Sequence, residues 1–472
     1  MLVSLNLLIK PFYIFGIDRT VQNLVGDASW GLYFSLFSFS LLMNILLDVG
    51  ITNYNNRNIA QHNFLLSKHF SNIVGLKFVL AFVYAMFSLT VAALIGYDKI
   101  QFHLLFFLIF NQFLISFTLY LRSNITALHL FRTDSFISIL DRGIMIAICS
   151  FLLFNPFMRS FFTIEWFVYA QSVAYILTAL ITFFIVLNKS GKIRIHFNLK
   201  FTLVFLRKSY PYALLILLMS FYNRIDSVML ERLLPDPLGK EQAGIYAQAF
   251  RLLDAVTMFG VLVAGLLLPI FAKMIKQKDP LGGMVKLSFN LLIVPALIIA
   301  ISSIYYNHEI MSALYKSNTA HSSEILGILM TGFIGIATTY IFGTLLTANG
   351  SIKQLNIMAF AGMLLNVVLN LILIPRFLAF GSAYASLATQ FFTAFIQVII
   401  AIKIFKLKPD FRFIFLLITY SGVIMVFATI SRTFSNWFYG YVFLILTALI
   451  SAFLIRIINL KDLVFIIKNE PS

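Results

Sequence analysis

Apolar stretches about as long as a membrane span fill the chain and alternate with short polar connections. A helix needs about 20 apolar residues to cross the hydrocarbon core, where it satisfies its own backbone hydrogen bonds. A window of about 19 residues predicts fourteen such helices, near residues 3–25, 31–52, 73–96, 103–125, 136–154, 164–187, 209–231, 244–272, 287–305, 325–347, 355–375, 381–404, 412–430 and 437–458. The first is the weakest, because Lys10, Pro11, Asp18 and Arg19 interrupt it. The pattern therefore predicts an all-α polytopic membrane protein with about 14 transmembrane helices.

The composition excludes an ordinary soluble domain. Of the 472 residues, 60% are apolar and only 11% are charged, far from the average for soluble proteins. The single cysteine, Cys149, excludes a disulfide framework and a thiolate metal site. Walker loops, dinucleotide glycine fingerprints, histidine pairs at metal spacing and nucleophile elbows are absent from the sequence. The sequence therefore predicts a transporter, not an enzyme, with no catalytic residue, cofactor or metal.

The net charge of +17 is explained by topology and not by a nucleic-acid partner. Lysines and arginines gather in the connections between apolar runs, and such residues resist translocation. Placing the N-terminus inside puts 22 Lys and Arg in inner connections and 8 in outer ones. This orientation predicts a multi-pass membrane protein with both termini in the cytoplasm.

The two halves of the chain carry related motifs. Ile17-Asp18 followed by Gly31-Leu32-Tyr33 recurs as Ile225-Asp226 followed by Gly244-Ile245-Tyr246. Because six spans separate the copies, each span keeps its direction, and the repeat is parallel with a two-fold axis along the membrane normal. The repeat predicts two parallel six-helix lobes around a central cavity, at residues 1–188 and 209–405. A basic cytoplasmic linker (189–208) would join them, and residues 406–472 would add a C-terminal helix pair and a cytoplasmic tail.

Charged residues inside the predicted spans are the candidate functional groups. Each costs about 2.5–3.5 kcal/mol at a helix centre by insertion scales, and therefore marks function or internal pairing. Those that concentrate in spans 1, 2, 7 and 8 are Lys10, Asp18, Arg19, Asp48, Arg224, Asp226, Arg251 and Asp254. This distribution predicts that the four helices face a common water-filled cavity. Asp141 and Arg142 of span 5 are interpreted as a pair inside one lobe.

Arginines in such a cavity could grip a diphosphate through forked hydrogen bonds. The predicted substrate contacts are Arg19, Arg224, Arg251, Lys10 and Arg57, the last within the polar stretch 53–58 at headgroup depth. This stretch could contact a lipid phosphate or could simply cap the helix end and anchor it at the interface. The carboxylates Asp18, Asp48, Asp226 and Asp254 are candidates for proton or ion coupling. The alternative is simple neutralisation: Arg251 and Asp254, at i and i+3, share a helix face and could pair. Arg224 and Asp226 lie about 200° apart on a helical wheel and cannot share one surface.

Two segments resemble a known family. They are GLYFSLFSFSLLMNILLDVGI in span 2 and the region from Pro211 to Pro269, with the order Pro, Ile-Asp, Gly-x-Tyr, Arg, Pro. The chain resembles bacterial oligosaccharide flippases, the O-antigen and polysaccharide branch of the multidrug, oligosaccharidyl-lipid and polysaccharide exporter superfamily. The resemblance implies a flippase of the bacterial inner (cytoplasmic) membrane. It would move undecaprenyl-diphosphate-linked oligosaccharide from the inner to the outer leaflet by alternating access, in O-antigen, capsule or exopolysaccharide synthesis. It also implies that Arg19, Asp48, Arg224 and Arg251 line the cavity, and that other polysaccharide assembly proteins are partners.

Two other functions remain open at this point. A cation-coupled multidrug antiporter of the same fold would use buried carboxylates more than arginines. A glycan polymerase or glycosyltransferase would need a sizeable outer loop, whereas the longest outer connection runs only from about Asn307 to Glu324.

Overall fold

The computed structural model describes residues 9, 11–52, 55, 56, 59, 65–190, 199–407, 410–455 and 457. Over these residues the chain is helical and forms no strand. The helices are α1 (Tyr13–Asp18, π-helical), α2 (Arg19–Leu42), α3 (Asn44–Leu47, 3₁₀), α4 (Leu65–Ile95), α5 (Lys99–Ala127), α6 (Phe131–Phe154), α7 (Pro156–Ser160), α8 (Ile164–Ser190), α9 (Leu199–Leu233), α10 (Leu238–Gln277), α11 (Gly282–Tyr305), α12 (Asn307–Leu314), α13 (Thr319–Ala348), α14 (Ile352–Phe405), α15 (Phe411–Ser431) and α16 (Trp437–Leu454).

The all-α prediction with about 14 spans is confirmed. Eleven helices in the described part of the chain are long and apolar enough to cross a membrane. The 54-residue α14 contains two predicted spans, because the backbone leaves the helical region at Leu378 (φ 55°, ψ −133°). In α2, the break at Gly26 (φ 81°, ψ 167°) separates predicted spans 1 and 2. Where the structure describes them, all fourteen predicted spans thus fall mainly on helix.

One span boundary was wrong. The pattern predicts an unbroken helix over residues 31–52, but α2 ends at Leu42 and the short 3₁₀ turn α3 follows. Val49 (φ 44°) and Gly50 (φ 85°) then take left-handed backbone conformations. We call residues 43–50 the helix 2 break.

The chain divides into two compact units, Met1–Gly244 and Ile245–Ser472. In the first unit, α9 packs against α2, and a core of apolar residues joins α4, α5 and α8 around Phe70, Tyr120 and Ala179. In the second, α11, α15 and α16 share a core around Val294, Tyr420 and Ala448. Helices α8 and α9 extend into both ends of the predicted linker 189–208. The division into lobes 1–188 and 209–405 stays a prediction.

Candidate functional site

Seven of the nine predicted site residues lie in the described part of the chain, and two lie outside it. Lys10 and Arg57 belong to the residues that the structure does not describe, so their roles stay predictions. The other seven are Arg19, Arg224, Arg251, Asp18, Asp48, Asp226 and Asp254.

Asp18 belongs to a partly buried charged cluster of the first unit. It lies where α1 meets α2 and is only 2% exposed, and its charge acts on Arg142 of α6. The Arg142 guanidinium lies over the Tyr13 ring, 4.6 Å from the ring centroid. Its Nε is 3.8 Å from Asp141 Oδ2, and its Nη1 lies 3.4 Å from the Tyr175 hydroxyl, to which it donates. The predicted Asp141–Arg142 pair is therefore present, and Asp18 joins it.

Arg19, the next residue, begins α2 and is half-buried. Its Nε is buried, and no described group accepts a hydrogen bond from it. A buried N–H group without an acceptor is costly, and the role of Arg19 as a substrate contact stays a prediction.

Asp48 is paired with a lysine that the span pattern did not single out. Lys77 of α4 lies inside predicted span 3, is 1% exposed, and its Nζ is 2.5 Å from Asp48 Oδ1. The Asp48 side chain is 28% exposed. It also accepts hydrogen bonds from the backbone N–H and the hydroxyl of Thr52, so it caps the helical turn that follows the helix 2 break. A hydropathy average hides one lysine among many apolar residues, but the rule that intramembrane charges need partners would have found it.

One residue of the polar stretch after the break, Asn55, forms hydrogen bonds with α5. Asn55 is buried and donates hydrogen bonds to Ser123 Oγ (3.1 Å) and Asn124 Oδ1 (2.9 Å). For this residue the structure favours a packing role over contact with lipid phosphate.

The repeated glycines of the two halves meet. A Cβ on Gly31 would lie 1.9 Å from the backbone oxygen of Lys240, and one on Gly244 would lie 2.1 Å from that of Asp27. Only glycine allows so close an approach of two helices. Gln22 spans this contact and donates from Nε2 to Gly244 O at 3.1 Å and to Asp27 Oδ1 at 3.3 Å. We call the contact the glycine crossing. The sequence repeat contained both glycines, but only the fold shows that they touch.

A second polar group of the first unit joins the end of α9 to the start of α5. Gln101 Nε2 donates to Glu231 Oε1 at 2.7 Å, and Arg232 Nη2 donates to Gln101 Oε1 at 2.9 Å. The Arg232 guanidinium lies over the Tyr97 ring, 4.5 Å from its centroid. Burial and, secondly, the charge of Glu231 raise the pKa of Tyr97. We call Tyr97, Gln101, Glu231 and Arg232 the Glu231 network. The span pattern did not single it out, because these residues lie at predicted span ends.

The remaining predicted residues divide between the two units. On α9, Asp226 is buried at 1% exposure and Arg224 is half-buried, as their different helix faces require. In the second unit, Arg251 Nη1 is 3.8 Å from Asp254 Oδ2, so the pair predicted from their spacing is confirmed. A ring of arginines contributed by both units stays a prediction.

A family model places the chain among known proteins. The model described as "Polysaccharide biosynthesis protein" matches residues 17–275, which is more than half of the chain. The chain belongs to this family. The matched region of this polysaccharide biosynthesis protein contains all seven described site residues, the helix 2 break, the glycine crossing and the Glu231 network. No curated protein sequence matches it significantly.

Solved structures share its fold at low sequence identity. The lipid II flippase MurJ, in an inward closed conformation, has a TM-score of 0.71 at 14% identity over 96% of this chain and 99% of its own. An inward-facing multidrug resistance transporter of the MATE family, in the MOP superfamily, has 0.61 at 13% identity over 86% and 95%. The eukaryotic MATE transporter AtDTX14 has 0.57 at 15% identity over 85% and 93%. The protein therefore has the fold of flippases and transporters of this superfamily.

Proposed function

We propose that the protein is a flippase that moves undecaprenyl-diphosphate-linked oligosaccharide from the inner to the outer leaflet of the bacterial inner membrane by alternating access. It would serve O-antigen, capsule or exopolysaccharide synthesis, together with other polysaccharide assembly proteins. Both termini would lie in the cytoplasm.

One observation carries this proposal: the chain combines a polysaccharide biosynthesis family match with the complete fold of a lipid-linked flippase. The MurJ structure covers 96% of the chain, whereas the MATE structures reach 86% and 85%. Both kinds of match support a transporter; the larger coverage and the family favour a lipid-linked saccharide over a drug.

The charged groups suit a diphosphate. Of the predicted contacts, Arg19 presents a buried Nε with no acceptor in the described structure, and Arg224 is a half-buried arginine of α9. Arg251 forms an ion pair with Asp254, so a substrate phosphate would compete with the Asp254 carboxylate for the Arg251 guanidinium. Lys10 and Arg57 complete the proposed substrate contacts. Asp18, Asp48, Asp226 and Asp254 are the proposed coupling groups, and Asp18 lies in the partly buried cluster with Arg142.

The test follows radiolabelled lipid-linked sugar in a strain that lacks the protein. We expect an inner-leaflet intermediate to accumulate and surface glycan to be lost. The plasmid-borne protein should clear the intermediate and restore the surface glycan. Normal surface glycan in the deletion strain would contradict the proposal.

Substitutions of Arg224 test the proposed substrate contact at a single side chain. Arg224→Ala should reach the membrane in normal amount and lose most translocation, whereas Arg224→Lys keeps part of it, because the charge survives and the bidentate fork does not. Arg159→Ala is the matched control, since Arg159 is exposed at the end of α7. Full surface glycan per unit of membrane protein in Arg224→Ala would remove Arg224 from the substrate contacts.

The second candidate function is a cation-coupled multidrug antiporter. The similarity to MATE structures and the buried carboxylate Asp226 favour it. Efflux of cationic drugs driven by a proton or sodium gradient, with unchanged surface glycan in the deletion strain, would establish this function instead.

A further inference from the structure

The helix 2 break interrupts the backbone inside a predicted span. Asn44–Leu47 form a 3₁₀ turn, and Val49 and Gly50 have φ angles of 44° and 85°. A positive φ is a genuine outlier for a β-branched residue such as valine, and non-helical backbone at membrane depth is tolerated only where protein or water satisfies it. Something must therefore hold this segment in its broken form.

The Lys77 ammonium fills the break. Its Nζ donates to Leu47 O at 3.0 Å, to Asp48 Oδ1 at 2.5 Å and to Ser116 Oγ at 3.1 Å. An ammonium group has three N–H donors, and all three are used. The Ser116 hydroxyl donates in turn to Leu47 O at 3.3 Å, so the carbonyl oxygen freed by the break accepts two hydrogen bonds.

The acceptors around Nζ have the chemistry of a site for a small cation. A backbone carbonyl, a carboxylate and a hydroxyl converge on one point, and oxygen ligands of these kinds bind hard cations. In this protein the cation at that point is the ammonium group of Lys77, a residue of α4. The Asp48 side chain is 28% exposed and is the side of the site that protein leaves uncovered.

A second Lys–Asp pair shows what is special about this one. Lys286 and Asp410 lie 2.8 Å apart, with side chains 51% and 45% exposed. Exposed pairs of this kind contribute little. Lys77 is buried and also bonds a main-chain oxygen of a broken helix, so removing its charge changes what the backbone of residues 43–50 can do.

We propose that Lys77 is a positioning residue for translocation: its ammonium is a built-in cation that holds helix 2 in its broken form. When the cation is absent, Leu47 O and Asp48 lose their common hydrogen-bond donor. The broken conformation of residues 43–50 then loses the interaction that stabilises it. The link to translocation rests on the proposed flippase function; the hold on the backbone does not.

Chemical rescue tests the cation directly. We expect Lys77→Ala to lower surface glycan per unit of membrane protein by about tenfold or more, because one charge of a buried pair is left without its partner. Added propylammonium should restore part of the loss, and 1-propanol of similar size should restore none. Lys77→Arg should keep part of the activity, and Lys286→Met is the control that keeps all of it. Loss without rescue by propylammonium, or rescue by propanol as well, would overturn the proposal.

A neutral double variant keeps the test informative if Lys77→Ala does not accumulate. Lys77→Met/Asp48→Asn leaves no unpaired charge, so a merely structural ion pair would be dispensable in it. We expect this variant to accumulate and to translocate poorly. Wild-type surface glycan from the double variant would show that the pair only balances charge.

The conformation of helix 2 can be read without any transport assay. Asn44 Nδ2 donates to Gln112 Oε1 of α5 at 3.2 Å, so cysteines at these positions, in a Cys149→Ser background, report the broken form. A short bis-thiol reagent should join them when Lys77 is present and much less in the neutral double variant. Equal cross-linking in both would overturn the role of Lys77 in holding the break. If the wild-type protein translocates no lipid-linked sugar, the proposed function fails, and this cross-linking result still decides the inference.

Discussion

The first unit has two contrasting ends, joined by helix α5. At one end, the Gly31 end, lie the glycine crossing and the Glu231 network; at the other, the Asp48 end, lie the helix 2 break and Lys77. Gln101 and Ser116 mark the two ends on α5, and 15 residues of helix place them about 22 Å apart along its axis.

The two ends are held by different physical means. At the Gly31 end, backbone lies against backbone, so there is no room for an extra atom. At the Asp48 end, the backbone is open, and a charged side chain fills the gap. We therefore expect the Gly31 end to be sensitive to side-chain size and the Asp48 end to be sensitive to charge.

The largest expected effect is at the glycine crossing. Gly31→Ala or Gly244→Ala places a methyl group about 2 Å from a backbone oxygen that cannot rotate away, so we expect a loss of about 3 kcal/mol or more, beyond ordinary overpacking. Thermal unfolding of the purified protein measures it. Gly143→Ala is the matched control, because nothing lies within 4 Å of its added Cβ, and helix propensity predicts a gain of about 0.5–1 kcal/mol. An equal change in stability in Gly31→Ala and in Gly143→Ala would contradict side-chain size as the determinant at the Gly31 end.

The Glu231 network comes next in size. Glu231→Ala removes a buried acceptor from both Gln101 and Arg232, and hydrogen bonds to a charged group contribute about 1.5–3 kcal/mol. Denaturation of Glu231→Ala, Gln101→Ala and the double variant should show coupling between the two residues. Arg159→Ala serves as a control, since Arg159 is exposed at the end of α7 and lies outside the network. Strictly additive losses would mean that the network does not join α9 to α5.

At the Asp48 end, Ser116→Ala should have a smaller effect. It removes one acceptor of Lys77 and one donor to Leu47 O, and a neutral hydrogen bond contributes about 1 kcal/mol. The Lys77–Asp48 contact remains, so the unfolding temperature should fall slightly and translocation should persist. Loss as severe as that of Lys77→Ala would show that the hydroxyl, and not the charge, holds the break.

Removing the exposed Lys286–Asp410 pair should have the smallest effect on stability, and the other variants can be compared with it. The hydrogen bond from Lys286, followed by that from the Phe413 N–H, lowers the pKa of Asp410. A lowered pKa means that this carboxylate contributes stability above its unfolded pKa of about 4 and loses it as the pH falls through the lower folded value. The difference in unfolding temperature between wild type and Asp410→Asn should therefore be small and constant from about pH 5 to 8, and should shrink only in stronger acid. A difference that changes near neutral pH would have to come from another group.

The sequence predicted the helices well for one physical reason: every backbone polar group inside a membrane must be satisfied, and long apolar runs can do so only as helix. The helix 2 break escaped prediction because Met43–Leu47 is as apolar as a continuing helix. Only Asp48-Val49-Gly50 hints at a turn. Lys77 escaped because a window average dilutes one charge. The repeat identified Gly31 and Gly244, but distances between segments 213 residues apart exist only in the fold. Spacing was enough for Arg251 and Asp254, because i and i+3 fixes their separation on one helix.

The most direct test of the central claim uses the purified protein in liposomes that contain a lipid-diphosphate-linked oligosaccharide. A membrane-impermeant glycosidase added outside measures how much of the sugar is exposed. We predict that the protein makes the sugar of the inner leaflet accessible, that Arg224→Ala largely abolishes this transfer and that Arg159→Ala retains it. Accessibility no greater than in protein-free liposomes, with a wild-type protein that is folded and inserted, would contradict the flippase function.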